Sequence, residues 1–106
     1  MAERSRDETP ELRRLRKRID ALDRKIVGLL NERAALGREV GRAKLAAGRR
    51  SIADPERERE VLLRVTMANA GPLPQAELLA MYRRLIAATK ALEAQDRRRG
   101  EPSDGA

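Results

Sequence analysis

Leu15-Arg16-Lys17-Arg18-Ile19-Asp20-Ala21-Leu22-Asp23-Arg24-Lys25-Ile26-Val27-Gly28-Leu29 opens a long run with a single repeating apolar pattern. Leu15, Ile19, Leu22, Ile26 and Leu29 recur at alternating gaps of four and three, the spacing of an a/d helical seam. The same step lands on Arg33 and resumes at Leu36, Val40, Ala43 and Ala47. No proline interrupts Leu12 to Ala47, and Gly28, Gly37 and Gly41 weaken the helix without stopping it. A helix of this extent runs about 50–55 Å. A compact chain of about 100 residues has a radius of gyration of only about 13 Å. The helix therefore overhangs any core that one chain can build, which predicts an obligate helical dimer.

Composition points the same way. The chain has 106 residues, is 41% hydrophobic and has one aromatic residue, Tyr82. Its core must come from Leu, Ile, Val, Ala and Met, and thin aliphatic cores favour oligomers. With no Cys there is no disulfide or thiolate metal site, and with no His the commonest general base is missing. No apolar run reaches transmembrane length and no signal-type segment opens the chain, so a cytoplasmic protein without membrane contact is expected. The net charge of +7 suits either a nucleic acid or a small anion. The basic residues are interleaved with Glu and Asp, and there is no aromatic platform for single strands, so nucleic acid is the weaker reading.

Taken in order, residues 1–9 read as a disordered polar N-terminus, residues 10–95 as one helical domain and residues 96–106 as a flexible basic and polar tail. Thr9-Pro10-Glu11 is a helix start: N-cap, proline in the first turn, early acid. Gly48 reads as its C-terminal stop. Asp54-Pro55-Glu56 repeats the start signal and opens a second helix with Val61, Leu62, Val65 and Ala68 inward and Leu63 at its edge. Asn69-Ala70-Gly71-Pro72 ends it, and a third helix from near Pro74 turns Leu78, Tyr82, Leu85, Ile86, Thr89 and Leu92 inward. No strand pattern competes, so the expected class is all-α, with three helices per chain in an intertwined homodimer.

Several polar residues fall on these apolar faces. Arg33 on the seam reads equally well as a snorkelling side chain or as a site residue. Lys44 lies eleven residues on, about three turns, so the two cations share nearly one face. Arg16 points elsewhere and joins such a site only from a partner chain. Asp54, Arg57 and Glu58 taken alone read as a first-turn charge cluster. Thr89 in an apolar stripe can satisfy itself on a backbone carbonyl. Glu93, one turn on, is more demanding, because a buried carboxylate needs a partner or a proton. Together these residues outline a mostly cationic interior suited to a small dianion.

The opening block, Leu15-Arg16-Lys17-Arg18-Ile19-Asp20-Ala21-Leu22-Asp23, resembles the L-R-x-x-I-D-x-L-D start of the all-helical (type II) chorismate mutases. The likeness continues through Leu29-Leu30-Asn31-Glu32-Arg33, Val40-Gly41-Arg42-Ala43-Lys44 and Asp54-Pro55-Glu56-Arg57-Glu58, in order, over about residues 11 to 95. The resemblance implies a three-helix chain in a homodimer with two shared active sites. By that likeness Arg16, reaching across from the partner, and Arg33 hold the substrate carboxylates. Lys44 donates to the ether oxygen. Asp54, Arg57 and Glu58 surround the ring hydroxyl, with Glu58 as acceptor. Thr89 takes a place usually held by Ser. Glu93 falls where many members have Gln, beside Lys44 at the ether oxygen. Lys44, Glu93, Arg16 and Arg33 are thus the expected catalytic residues.

That chemistry also accounts for the missing His and Cys. Turning chorismate into prephenate is a Claisen rearrangement in which a C–O bond breaks as a C–C bond forms. It requires no proton transfer, nucleophile, metal or cofactor. Holding a folded conformer and stabilising charge on the ether oxygen suffice. Rival readings are a sister enzyme acting on 4-amino-4-deoxychorismate, an isochorismate pyruvate-lyase, and a non-catalytic helical binding or regulatory dimer. The sequence holds no appended dehydratase, dehydrogenase or synthase domain, so a stand-alone enzyme is expected, and an activating partner enzyme is left open.

Overall fold

A computed structural model of the chain describes residues 8–100. Three helices occupy them: α1, Pro10–Ala46; α2, Pro55–Ala68; and α3, Gln75–Gly100. Their ends follow local chemistry. Thr9 Oγ1 accepts the Leu12 N–H at 3.1 Å and so caps α1. At the other end Gly48 adopts φ +83°, a left-handed conformation that costs glycine little. The Gly48 N–H then donates to Leu45 O at 3.0 Å and the Arg49 N–H to Lys44 O at 2.8 Å. These two bonds are a Schellman stop, satisfying carbonyls that the helix leaves open. Asp54 caps α2 by accepting the Arg57 N–H at 3.2 Å, with Pro55 in the first turn. Asn69 closes α2 with its own N–H on Val65 O. Its side chain turns the chain by accepting from Gly71 N–H and donating to Leu73 O.

The chain divides into two compact units, one up to Arg33 and one from Ala34 onward. In the first, the apolar seam of α1 faces solvent: Ile19 is 54% and Leu29 64% exposed, and Leu15, Leu22 and Ile26 are exposed with them. In the second, Leu36 and Val40 on α1 are exposed as well. The α1 residues turned inward there are not the seam but its neighbours, Gly37, Arg38, Gly41 and Lys44.

The second unit holds the core. Val61, Leu62 and Val65 of α2 and Leu78, Tyr82, Leu85 and Leu92 of α3 are half-buried, and Ile86, 9% exposed, is the most enclosed hydrophobic among the described residues. Ala68, read as inward, is exposed in the last turn of α2. Two glycines let α1 approach α3. A methyl on Gly37 would overlap Thr89 Cγ2, and one on Gly41 would stand 3.1 Å from Glu93 Cγ. Helices at this separation gain dispersion contacts that larger side chains would prevent.

A tail is expected from residue 96, and residues 96–100 are the last residues of α3. α3 continues to Gly100 because Asp96, half-buried, is held by Arg38 of α1. The rest of the expected tail, 101–106, and the first seven residues of the expected N-terminal segment lie outside the described residues. Among the described residues no helix is long and apolar enough to cross a membrane.

Candidate active site

Glu93 is the centre of the arrangement. It is only 7% exposed, on the side of α3 that meets Gly41, and its Oε2 has no hydrogen-bond partner among the described residues. Burial pushes its carboxyl above the ordinary carboxylate range. Lys44 opposes that rise most strongly, followed by Arg97, while Asp96 reinforces it and Lys90 opposes it. Lys44 projects from the last turn of α1, half-buried, and its Nζ donates to Ile52 O in the α1–α2 link at 3.3 Å. The buried acid thus meets α1 at Gly41, about one turn before Lys44, and the ammonium acts on it electrostatically.

Thr89, one turn before Glu93 and 8% exposed, donates its hydroxyl to Leu85 O at 3.0 Å. It is satisfied on its own helix, as a buried threonine can be. Its methyl group meets Gly37. Glu58, in the first turn of α2, pairs with Lys90 of α3 at 3.0 Å between Oε2 and Nζ. Asp54 is occupied as the α2 cap and has the Arg49 guanidinium 3.7 Å away. Arg57 extends to Glu60 at 2.7 Å, with its side chain 57% exposed.

Within the unit from Ala34 onward, Lys44, Thr89 and Glu93 thus come together at the α1–α3 contact, and Glu58 lies at the α2–α3 contact. Arg57 turns away from this group, drawn to Glu60 one turn ahead. Arg16 and Arg33 belong to the other unit. There Arg16 is ion-paired to Glu8, in a cleft it shares with Arg13, Lys17 and Asp20, and Arg33 is half-buried.

Lys90 joins these residues with only a weak signal in the sequence, its place beside Thr89 on α3. Gly37 and Gly41 read as weak points of α1, yet their spacing of four on one face is the mark of close helix approach. Arg38 and Asp96 form a two-pronged ion pair, both contacts at 2.8 Å, and nothing in the sequence links residues 58 positions apart. The hydrogen bond from Arg38 holds Asp96 below its ordinary value. Beside Glu93 this pair borders a basic cleft of about 760 Å³, with Arg42, Arg50 and Arg97 also on its walls. Of the sequence-predicted residues the cleft contains Glu93 alone.

Fold and geometry describe an all-helical protein whose charged side chains converge where helices meet, with a buried acid against Gly41 of α1 and a lysine about one turn further along that helix. Residues 15–94 match the family described as chorismate mutase type II, and the chain belongs to that family. It is 42% identical over 87 residues to a bifunctional chorismate mutase/prephenate dehydratase of Aquifex aeolicus, covering 78% of this chain and 24% of that protein. A protein of the same description from Stutzerimonas stutzeri is 38% identical over 90 residues, covering 81% and 25%. The chain thus spans about a quarter of the length of these curated relatives. Among solved structures it is similar to the chorismate mutase of Thermus thermophilus in its form II, with a TM-score of 0.75 and 34% identity. That likeness covers 79% of this chain and 94% of the other. Form I of the same protein gives a TM-score of 0.71, also at 34% identity, over 74% and 98%.

Proposed function

We propose that this chain is a chorismate mutase that rearranges chorismate to prephenate by conformational restriction and electrostatic stabilisation. The observation that carries the proposal is Glu93 buried against Gly41, about one turn from Lys44 on α1, inside the segment that matches the family.

The reaction needs two things from the protein. A flexible dianion must be held folded so that the reacting carbons approach, which removes most of the entropic part of the barrier. Negative charge must also be stabilised on the ether oxygen as the C–O bond lengthens, a task for fixed donors in a site shielded from water. Arg33, and Arg16 from a partner chain, clamp the two carboxylates, where planar guanidinium forks fit. Lys44 donates to the ether oxygen. An ether oxygen only accepts, so Glu93 assists in its protonated form, which its buried setting favours. Glu58 accepts from the ring hydroxyl, with Asp54 and Arg57 near it. Arg57 turns from Glu60 to reach substrate, a small cost for an exposed pair. Thr89 lies near a carboxylate.

The homodimer with shared sites belongs to this proposal. It is supported by the exposed apolar seam of α1, since a contiguous apolar stripe of this kind marks an interaction surface. The working compartment on this reading is the cytoplasm. Incubation of the purified protein with chorismate, with the product identified, tests the function. Prephenate formation supports it. Loss of pyruvate, turnover of the 4-amino analogue only, or no turnover would replace it.

A further inference from the structure

Lys90 lies where the charged residues of α2 and α3 meet. It stands three residues before Glu93, so the two are surface neighbours on α3. Its Nζ reaches α2 and lies 3.0 Å from Glu58 Oε2, with both side chains half-buried. It is also close enough to act on the Glu93 carboxyl. One ammonium thus serves two acids, and Glu58 is the one assigned above to the substituent on the substrate ring.

A carboxylate with no counter-ion does not discriminate against a cation. It would take a protonated amine on the ring more strongly than a hydroxyl, because charge-assisted hydrogen bonds are the stronger kind. Glu58 is not such a carboxylate. Lys90 occupies one of its oxygens and cancels most of its charge, while the other oxygen remains able to accept from a neutral hydroxyl. An ammonium in the same place meets the Lys90 ammonium a few ångströms away. In a half-buried setting that repulsion is screened less than at an open surface.

We propose that Lys90 is a specificity-determining residue, positioning and neutralising Glu58 so that the site selects a hydroxyl at the ring position and rejects an ammonium there. Discrimination of this kind needs a repulsive element as well as an attractive one, and Lys90 supplies it. The inference rests on the chorismate mutase reading. A partly exposed ion pair contributes little to holding helices together, so the fold stands when the charge is removed.

The experiment compares the full chain with Lys90→Met, Lys90→Gln and Lys90→Arg. For each, the KM for chorismate and the inhibition constant of 4-amino-4-deoxychorismate are measured. The parent should bind the amino compound worse than chorismate, and Lys90→Met should narrow that gap by about tenfold or more. Lys90→Gln, which keeps a polar end without charge, should behave as Lys90→Met does. Lys90→Arg should retain the parent preference, because it keeps the charge. A ratio unchanged in both neutral variants overturns the inference alone, as does an equal change in Lys90→Arg, which would mean shape rather than charge. A parent that does not convert chorismate overturns the functional reading and the inference with it.

Discussion

Glu93 lies directly against Gly41: a Cβ on that glycine would stand 3.1 Å from Glu93 Cγ and 3.2 Å from Oε2. One turn earlier on both helices, Gly37 stands in the same relation to Thr89. The two polar residues that interrupt the apolar stripe of α3 are therefore the two that meet glycines on α1. Where a side chain is withdrawn from one helix, a polar side chain of the other fills the space, and the helices close over it.

The Gly37–Thr89 contact gives a test by stability. Gly37→Ala places a methyl into Thr89 Cγ2, so either Thr89 rotates, which disturbs its bond to Leu85 O, or α1 and α3 move apart. The substitution should destabilise by about 1–3 kcal/mol despite the better helix propensity of alanine. Adding Thr89→Ser removes the obstructing methyl and keeps the hydroxyl, so the double variant should recover most of the loss. Urea denaturation of the four proteins reads the coupling. Additive effects would mean that α1 and α3 are not in contact at this point.

Glu93 should impose an acid-shifted pH dependence. Its native carboxyl titrates above the ordinary value because burial outweighs Lys44, Arg97 and Lys90, with Asp96 adding to the rise. The protonated form therefore persists to higher pH in the folded chain, and kcat should fall as pH rises through the raised value. The same shift has a stability consequence. A carboxyl with a raised native value contributes stability fully below the ordinary Glu range, and that contribution is lost as pH rises through the native value. Glu93→Gln always has a donor and never ionises. It should flatten the kcat profile and hold activity at higher pH. A parent profile that is flat from acid to mildly basic pH, unchanged in the variant, would remove Glu93 from the ether oxygen.

Lys44→Ala should lower kcat far more than it raises KM, because the ether oxygen gains charge only on the way to the transition state. Loss of one such donor costs about 3–4 kcal/mol in comparable sites. Steady-state kinetics with chorismate distinguish this from a carboxylate-binding role, for which the loss would appear mainly in KM.

Arg16 gives the test of a shared site. Arg16→Ala and Lys44→Ala should each be nearly inactive. If Arg16 crosses to the partner, a mixed dimer of the two variants gathers both defects in one site and leaves the other whole, so mixing should restore activity. Sedimentation at micromolar concentration should show twice the chain mass. An active monomer, or no recovery once subunit exchange has been confirmed, would return Arg16 to its own chain's site or to none.

The start and stop of α1 and α2 were legible because each rests on chemistry within a few residues: the Thr9 cap, the Gly48 stop, the Asp54-Pro55 start and the Asn69 turn. The end of α3 was not legible. Asp96 and the arginines after it read as a frayed tail, and only a partner on α1 reveals otherwise. Thr89 and Glu93 stood out in advance because polar groups on an apolar stripe need a local explanation.

By itself, then, the amino-acid sequence determined the helical class, most of the helix termini, the family and the residues most in need of a partner. Periodicity, capping and motif spacing act over one to a few turns, or are matched in order along the chain. The tertiary structure alone decided which face of α1 meets α3, that Glu93 is buried against Gly41, that Lys90 holds Glu58 and that Arg38 holds Asp96. These are contacts between residues far apart in sequence. The spacing of Gly37 and Gly41 marks a face that can be approached closely, but which residues it meets depends on the rotation and register of the second helix, and those are set by the packing.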